Sequence, residues 1–153
     1  VVEAIERLET EIKPTRKELR RVRSDLLTYE AEELWAASPT MQGVRVIVTY
    51  LPDHDFDDVR AIAGQLRDRD QTLILLGALE ENGLRVICAG SDDLAQIDAA
   101  DFLRTTLDEL EGRGGGSSVV AQGGAPPRST DSVLAAFERA RERARKRLGS
   151  CTT

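Results

Sequence analysis

The sequence predicts an α/β protein in which a mixed β-sheet carries packed helices, preceded by a long N-terminal coiled-coil-like helix or helical hairpin. Three observations point there. Apolar residues first recur at helical steps of three, four and seven; after Ser38, Pro39 and Gly43 the period changes to a continuous β-branched run. Amphipathic helical stretches then alternate with strand-sized apolar ones, the pattern that builds a sheet with helices on its faces.

The first segment places Ile5, Leu8, Ile12, Leu19, Val22, Leu26 and Tyr29 on one narrow stripe, with Thr15 at a weak position. Such a seam seeks either a partner helix or the protein's own core. Pro14 lacks an N–H and clashes with the preceding turn, so a kink or break is expected there. Residues 44–51 read as a strand covered on both faces. Asp55 can cap a helix whose apolar face is Phe56, Val59, Ile62, Ala63 and Leu66. Residues 73–79 and 84–89 read as strands joined around Asn82-Gly83, a dipeptide that tolerates positive φ. A helix over 99–111 buries Phe102, Leu103, Leu107 and Leu110 and stops at Gly112, which suits a left-handed C-cap. A short strand over 118–122 and a last helix over 131–148, lined by Val133, Phe137, Ala140 and Ala144, complete the order. The expected division is a helical arm over 1–38, an α/β domain over 39–150 and a disordered tail over 151–153.

At 153 residues the chain has room for one domain and an appendage, and its 41% hydrophobic content exceeds what a disordered chain carries. The longest apolar stretch, 73–79, is strand-sized, which argues against a membrane partner. Glu3, Glu6, Glu9 and Glu11 give the start an acidic, helical pattern, the reverse of a secretory signal, so a cytoplasmic location is expected. The only methionine is Met41 and the chain opens at Val1, which suggests a piece of a longer polypeptide. Net charge is −6, divided as −2 over 1–37, −8 over 38–127 and +4 over 128–153. Basic residues therefore gather in the last helix and in Lys13, Arg16, Lys17, Arg20, Arg21 and Arg23 of the first. A globally acidic protein can still bind an anion locally.

No catalytic set is legible. His54 is the single histidine and lies between Asp53 and Asp55, where a solvated side chain is expected. With Cys88 and Cys151 it cannot assemble a zinc site of ordinary spacing. Asp57-Asp58 and Asp92-Asp93 read as helix-entry carboxylates rather than a metal pair. Glu138 with Arg141, and Glu142 with Lys146, have the spacing of surface ion pairs.

The informative stretch is 112–124, Gly-Arg-Gly-Gly-Gly-Ser-Ser-Val-Val-Ala-Gln-Gly-Gly, in which six residues lack a Cβ. Bare backbone lets N–H groups approach a phosphate or ribose, and Arg113 adds charge. No Gly-Lys-Ser/Thr follows, so this is not a Walker loop. Tight turns alone would also account for the glycines.

This run, and the order of elements before it, resembles the DHH-associated domain found at the C-terminus of alanyl-tRNA synthetases. There the pattern is Gly-Gly-Gly, four residues, then Ala-Gln-Gly-Gly. The resemblance covers about 19–148 and implies a domain that catalyses nothing, binds transfer RNA and helps dimerise its parent. The implied nucleic-acid contacts are Arg113, Gly114, Gly115, Gly116, Ser117, Ser118, Gln122, Gly123 and Gly124, with Arg139, Arg143 and Lys146 of the basic last helix. Leu19, Val22, Leu26 and Tyr29 are the implied dimer seam. No cofactor is expected in this chain; the resemblance implies a parent that is an alanine-tRNA ligase or alanyl-tRNA hydrolase, with any use of zinc and ATP in that parent's other domains. Ser117-Ser118-Val119-Val120 stands where synthetases commonly have Arg-Pro-Asp-Met, which removes the most obvious charged RNA contact. DHH phosphoesterases usually carry a histidine after the glycines, and none is present here. A purely structural oligomerisation module and a substrate-binding domain of a DHH-type phosphoesterase are the rival readings.

Overall fold

The computed structural model describes residues 2–150 apart from Gln42, Asn82, Ala95 and Gln96, and for 2–14, Gly149 and Ser150 it describes the backbone alone. The expected tail over 151–153 and the Asn82 half of the turn dipeptide lie outside the described residues. The elements are α1 (Val2–Ala37), β1 (Thr40–Met41), β2 (Val44–Tyr50), α2 (Phe56–Arg67), β3 (Thr72–Glu80), β4 (Gly83–Gly90), α3 (Ala99–Glu109), β5 (Arg113–Gly116), β6 (Val120–Ala125) and α4 (Thr130–Ser150). Six strands form one mixed sheet in the order β1-β2-β3-β4-β6-β5. Only β2 and β3 run parallel, joined through α2; every other pair is antiparallel.

Strand alternation divides the core in two. Val44, Val46 and Val48 of β2 face one side with α3 and α4, where Leu75, Val86, Leu103, Leu107 and Phe137 are buried. Ile47 faces the other side with α1 and α2, against Val59, Ile62, Leu66, Ile74 and Ile87. The sheet is thus a middle layer. Asp55 caps α2 as expected, its carboxylate accepting from the Asp58 amide at 2.9 Å. Asp98 does the same for α3, accepting from Ala100 and Asp101.

Several expectations need correction. α1 continues through Pro14 as one helix, so no hairpin of two arms forms. Its C-terminal half belongs to the body, because Leu27 and Ala31 are buried on α2 while Leu34 and Trp35 pack beside them. The glycine run is not made of tight turns alone, since 113–116 form β5, and the strand expected at 118 begins at Val120. Asp92 and Asp93 do not enter a helix. Asp92 pairs with Arg67 at 2.8 Å, and Asp93 accepts from the Ser91 hydroxyl and the Gln71 amide.

The end of α3 also departs from expectation. The left-handed residue is Glu111, with φ of 59°, and not Gly112. Glu111 donates its amide to Asp108 O and Gly112 donates its amide to Leu107 O, the paired bonds of a Schellman stop. Gly112 is required for a different reason: a Cβ there would sit 2.5 Å from the Gly124 carbonyl oxygen.

Candidate nucleic-acid interface

β5 and β6 form a hairpin at the sheet's end, with β6 held between β4 and β5. Its tip is Ser118-Val119. The Ser117 hydroxyl accepts from the Val119 and Val120 amides, and the Ser117 amide donates to Val120 O at 2.8 Å. Ser117 therefore shapes the turn, while the Ser118 carbonyl accepts from the Ala99 amide at the start of α3.

Two backbone hydrogen bonds fix which amides the ladders use. Ser117 N to Val120 O belongs to the register that pairs Arg113 with Gly124 and Gly115 with Gln122. In an antiparallel pair every second residue points its N–H at the partner. Arg113, Gly115 and Ser117 thus bond to β6, whereas the amides of Gly114 and Gly116 face the open edge. Gly90 N to Val119 O sets β6 on β4 likewise, directing the Gly123 amide to β4 and the Gly124 amide to β5. The ribbon is not uniformly free: its first glycine cluster has an open edge, its second is spent inside the sheet.

Packing explains most of the missing side chains. A Cβ at Gly114 would lie 2.8 Å from Leu107 Cδ1 of α3, one at Gly116 2.4 Å from Val120 O, and one at Gly123 2.4 Å from Arg113 O. Gly115 is the exception, since a Cβ there meets nothing within 4 Å. Its position opposite Gln122 puts both on the sheet face away from α3, together with Arg113, Ser117 and Gly124. Arg85 of β4, opposite Gly124, joins that face. Arg85 is easily missed in the sequence because it lies within an apolar strand; being the one charge there is the available signal.

Arg139, Arg143 and Lys146 lie in the opposite layer, on α4. Arg139 Nε and Arg143 Nη1 both reach the Glu109 carboxylate of α3, at 2.7 and 2.9 Å, and Arg143 also donates to Thr106 Oγ1 at 2.6 Å. The pairing of Glu138 with Arg141 is present, and Glu142 pairs with Arg145. The glycine ribbon and the basic helix therefore do not share one face.

On α1 the stripe Leu19, Val22, Leu26 and Tyr29 is more than half exposed. The rest of the seam, Ile5, Leu8 and Ile12, lies outside the described side chains. Arg16, Lys17, Arg20 and Arg21 beside it are exposed. Arg23 bonds Asp55 and Asp58 at 3.2 and 2.8 Å. His54 is not a solvated side chain: its Nε2 meets Glu30 Oε2 at 2.7 Å and its Nδ1 lies 3.5 Å from Asp58 Oδ2. Burial works against the Asp58 carboxylate, but hydrogen bonding and charge from Arg23, then from His54, outweigh it and hold Asp58 below the usual carboxylate range. Burial pushes the Cys88 thiol up, which leaves it an inert core residue. No helix among the described residues is long and apolar enough to cross a membrane.

A sheet with helices on both faces and a terminal glycine hairpin defines the class of this protein, and known proteins sharpen it. The chain belongs to the DHHA1 domain family, whose model matches residues 43–143. It is 29% identical over 130 residues to the alanine–tRNA ligase of Thiobacillus denitrificans, covering 83% of this chain and 15% of the ligase. It is 30% identical over 122 residues to that of Pseudomonas savastanoi pv. phaseolicola, covering 78% and 14%. The chain thus spans about 15% of the length of such relatives. Its fold is similar to the C-Ala domain of Aquifex aeolicus alanyl-tRNA synthetase, with a TM-score of 0.60 at 18% identity, over 72% of this chain and 96% of that domain. It is equally similar to RecJ of Thermus thermophilus in complex with manganese, with a TM-score of 0.61 at 21% identity, over 86% of this chain and 18% of RecJ.

Proposed function

We propose that this chain is a non-catalytic, transfer-RNA-binding and dimerisation domain of a cytoplasmic alanyl-tRNA synthetase or related alanyl-tRNA editing protein. One observation carries the RNA reading: β5 is the last strand of the sheet and its register turns the Gly114 and Gly116 amides away from β6, beside Arg113 and a Gly115 that has open space where a side chain would stand. Backbone donors and a guanidinium suit the phosphates of a folded RNA, whose shape rather than base sequence is then recognised. Ser118 and Gln122 add exposed polar groups on the same hairpin. Arg139, Arg143 and Lys146 of α4 would make flanking phosphate contacts, reached around the hairpin edge. The likeness to alanine–tRNA ligases supports alanine-specific transfer RNA as the partner. The exposed stripe on α1 supports a homodimer through that helix.

Filter binding with folded transfer RNA at rising salt tests the RNA part. Affinity that falls steeply with salt supports it; no binding at about 100 µM protein, where non-specific association is already expected, rejects it. The fold likeness to RecJ favours a second reading, substrate support for a DHH-type nuclease. Preference for short single strands over folded RNA would promote that reading.

A further inference from the structure

Arg85, Gly124 and Arg113 stand in one row across β4, β6 and β5, paired directly in register. Directly opposed residues project to the same face, so the two arginines flank a strand position that has no side chain. The Arg85 stem occupies the vacated space: a Cβ at Gly124 would come within 3.3 Å of Arg85 Cδ and 2.9 Å of the Leu84 carbonyl oxygen. Farther out, the Arg85 guanidinium carbon lies 4.5 Å from the centre of the Phe56 ring, which fixes its position on a flat apolar support.

Arg85, Gly124 and Arg113 line a groove of about 590 Å³ that also includes Glu80, Glu111 and Pro126. The charges in it are unequally satisfied. Glu80 accepts the Phe56 amide at 3.3 Å, and Glu111 pairs with Arg128 at 2.8 Å. Neither Arg85 nor Arg113 has an ion pair among the described residues. The groove therefore offers two guanidiniums without an ion pair among the described residues, beside the Glu80 carboxylate, whose charge a backbone amide does not neutralise. Their strands are about 10 Å apart, a gap that two arginine side chains can close around one anion.

We propose that Arg85 and Arg113 together hold one phosphodiester of the bound nucleic-acid backbone above Gly124. The inference rests on the RNA-binding reading and adds to it a residue outside the glycine run, on the α2 side of the sheet. It gives Gly124, whose amide is spent in the sheet, a role in recognition: its missing side chain is the floor on which Arg85 lies.

The experiment measures folded transfer-RNA affinity against salt for the full chain and for Arg85→Gln, Arg85→Lys and Arg113→Gln, with thermal unfolding of each. Arg85→Gln is expected to weaken binding about tenfold near 100 mM salt and to reduce the slope of log K against log salt by about one. Arg85→Lys keeps the charge, so its slope stays at the parent value while part of the affinity is lost with the fork geometry. Should Arg85→Gln destabilise the fold, Arg85→Lys still decides: binding equal to the parent at every salt overturns the fork. If Arg85→Gln leaves affinity and slope unchanged while Arg113→Gln lowers both, the paired site is wrong and the RNA reading stands. If the parent chain binds no RNA, the reading itself fails and the pair falls with it.

Discussion

The imidazole of His54 joins Glu30 of α1 through Nε2 at 2.7 Å, and this contact fastens the long helix to the loop that opens α2. Asp58 stands 3.5 Å from the other ring nitrogen and also receives Arg23, so two elements are tied by one mixed-charge cluster. Farther along α1, the Arg45 and Arg69 guanidinium carbons lie 4.4 and 4.5 Å from the centre of the Trp35 ring. His54→Ala is expected to lower stability by about 1 kcal/mol, the scale of a partly exposed charged hydrogen bond. Denaturant unfolding followed by the fluorescence of Trp35, the only tryptophan, checks this. An unchanged midpoint would mean that the apolar contacts of α1 hold it unaided.

The same cluster sets an acid response. The folded pKa of Asp58 lies below its ordinary value of 3.8, so the carboxylate contributes stability above that value and loses it as pH falls through the folded pKa. Asp58→Asn is therefore expected to cost stability at neutral pH and to flatten the stability profile below about pH 4. Parallel unfolding curves for parent and variant between about pH 2 and about pH 7 would contradict this assignment.

Two glycines close together in the chain are expected to differ sharply. Gly112→Ala forces a Cβ to 2.5 Å from Gly124 O, between backbone segments that cannot yield, and should cost about 1–3 kcal/mol. Gly115→Ala places its methyl in open space, and its stability should stay within about 0.5 kcal/mol of the parent. Its RNA affinity should fall nonetheless, because that methyl stands where the ligand backbone would approach. Thermal unfolding and filter binding on the two variants separate a packing glycine from a recognition glycine.

Glu111→Gly is expected to stabilise the end of α3 by about 0.5–1 kcal/mol, since the left-handed conformation at φ of 59° suits glycine. The lost ion pair to Arg128 is mostly exposed on the Glu111 side and offsets little of this. A lower melting temperature would show that pair to be worth more than the backbone relief.

The exposed stripe on α1 predicts self-association. Replacing Leu26, which is 52% exposed, with Glu should convert a dimer to a monomer in sedimentation equilibrium while leaving the melting curve of the body unchanged. A parent chain that is monomeric at every concentration removes the dimer proposal.

Much of this was legible in the sequence. A β-branched run marked β2, strand-sized apolar runs around Asn82-Gly83 marked β3 and β4, and Asp55 announced the start of α2. What escaped is what depends on register. β5 is one arginine and three glycines, with no apolar alternation to mark a strand; its pairing with β6 exists because bare backbones can approach that closely. Arg85 and Arg113 lie far apart in the chain and fall into one row only because each is paired with Gly124. His54 read as a loop residue because Glu30, its partner, lies in another element. The α4 arginines showed a net charge but not that Glu109 already binds two of them.

The most direct test is amide mapping by NMR, titrating isotopically labelled chain with folded transfer RNA at low salt. The largest shifts are expected at Gly114, Gly115 and Gly116, with Arg113, Gln122 and the Arg85 strand next. Shifts confined to α1 or α4, with the hairpin silent, would contradict the placement of the RNA on this end of the sheet.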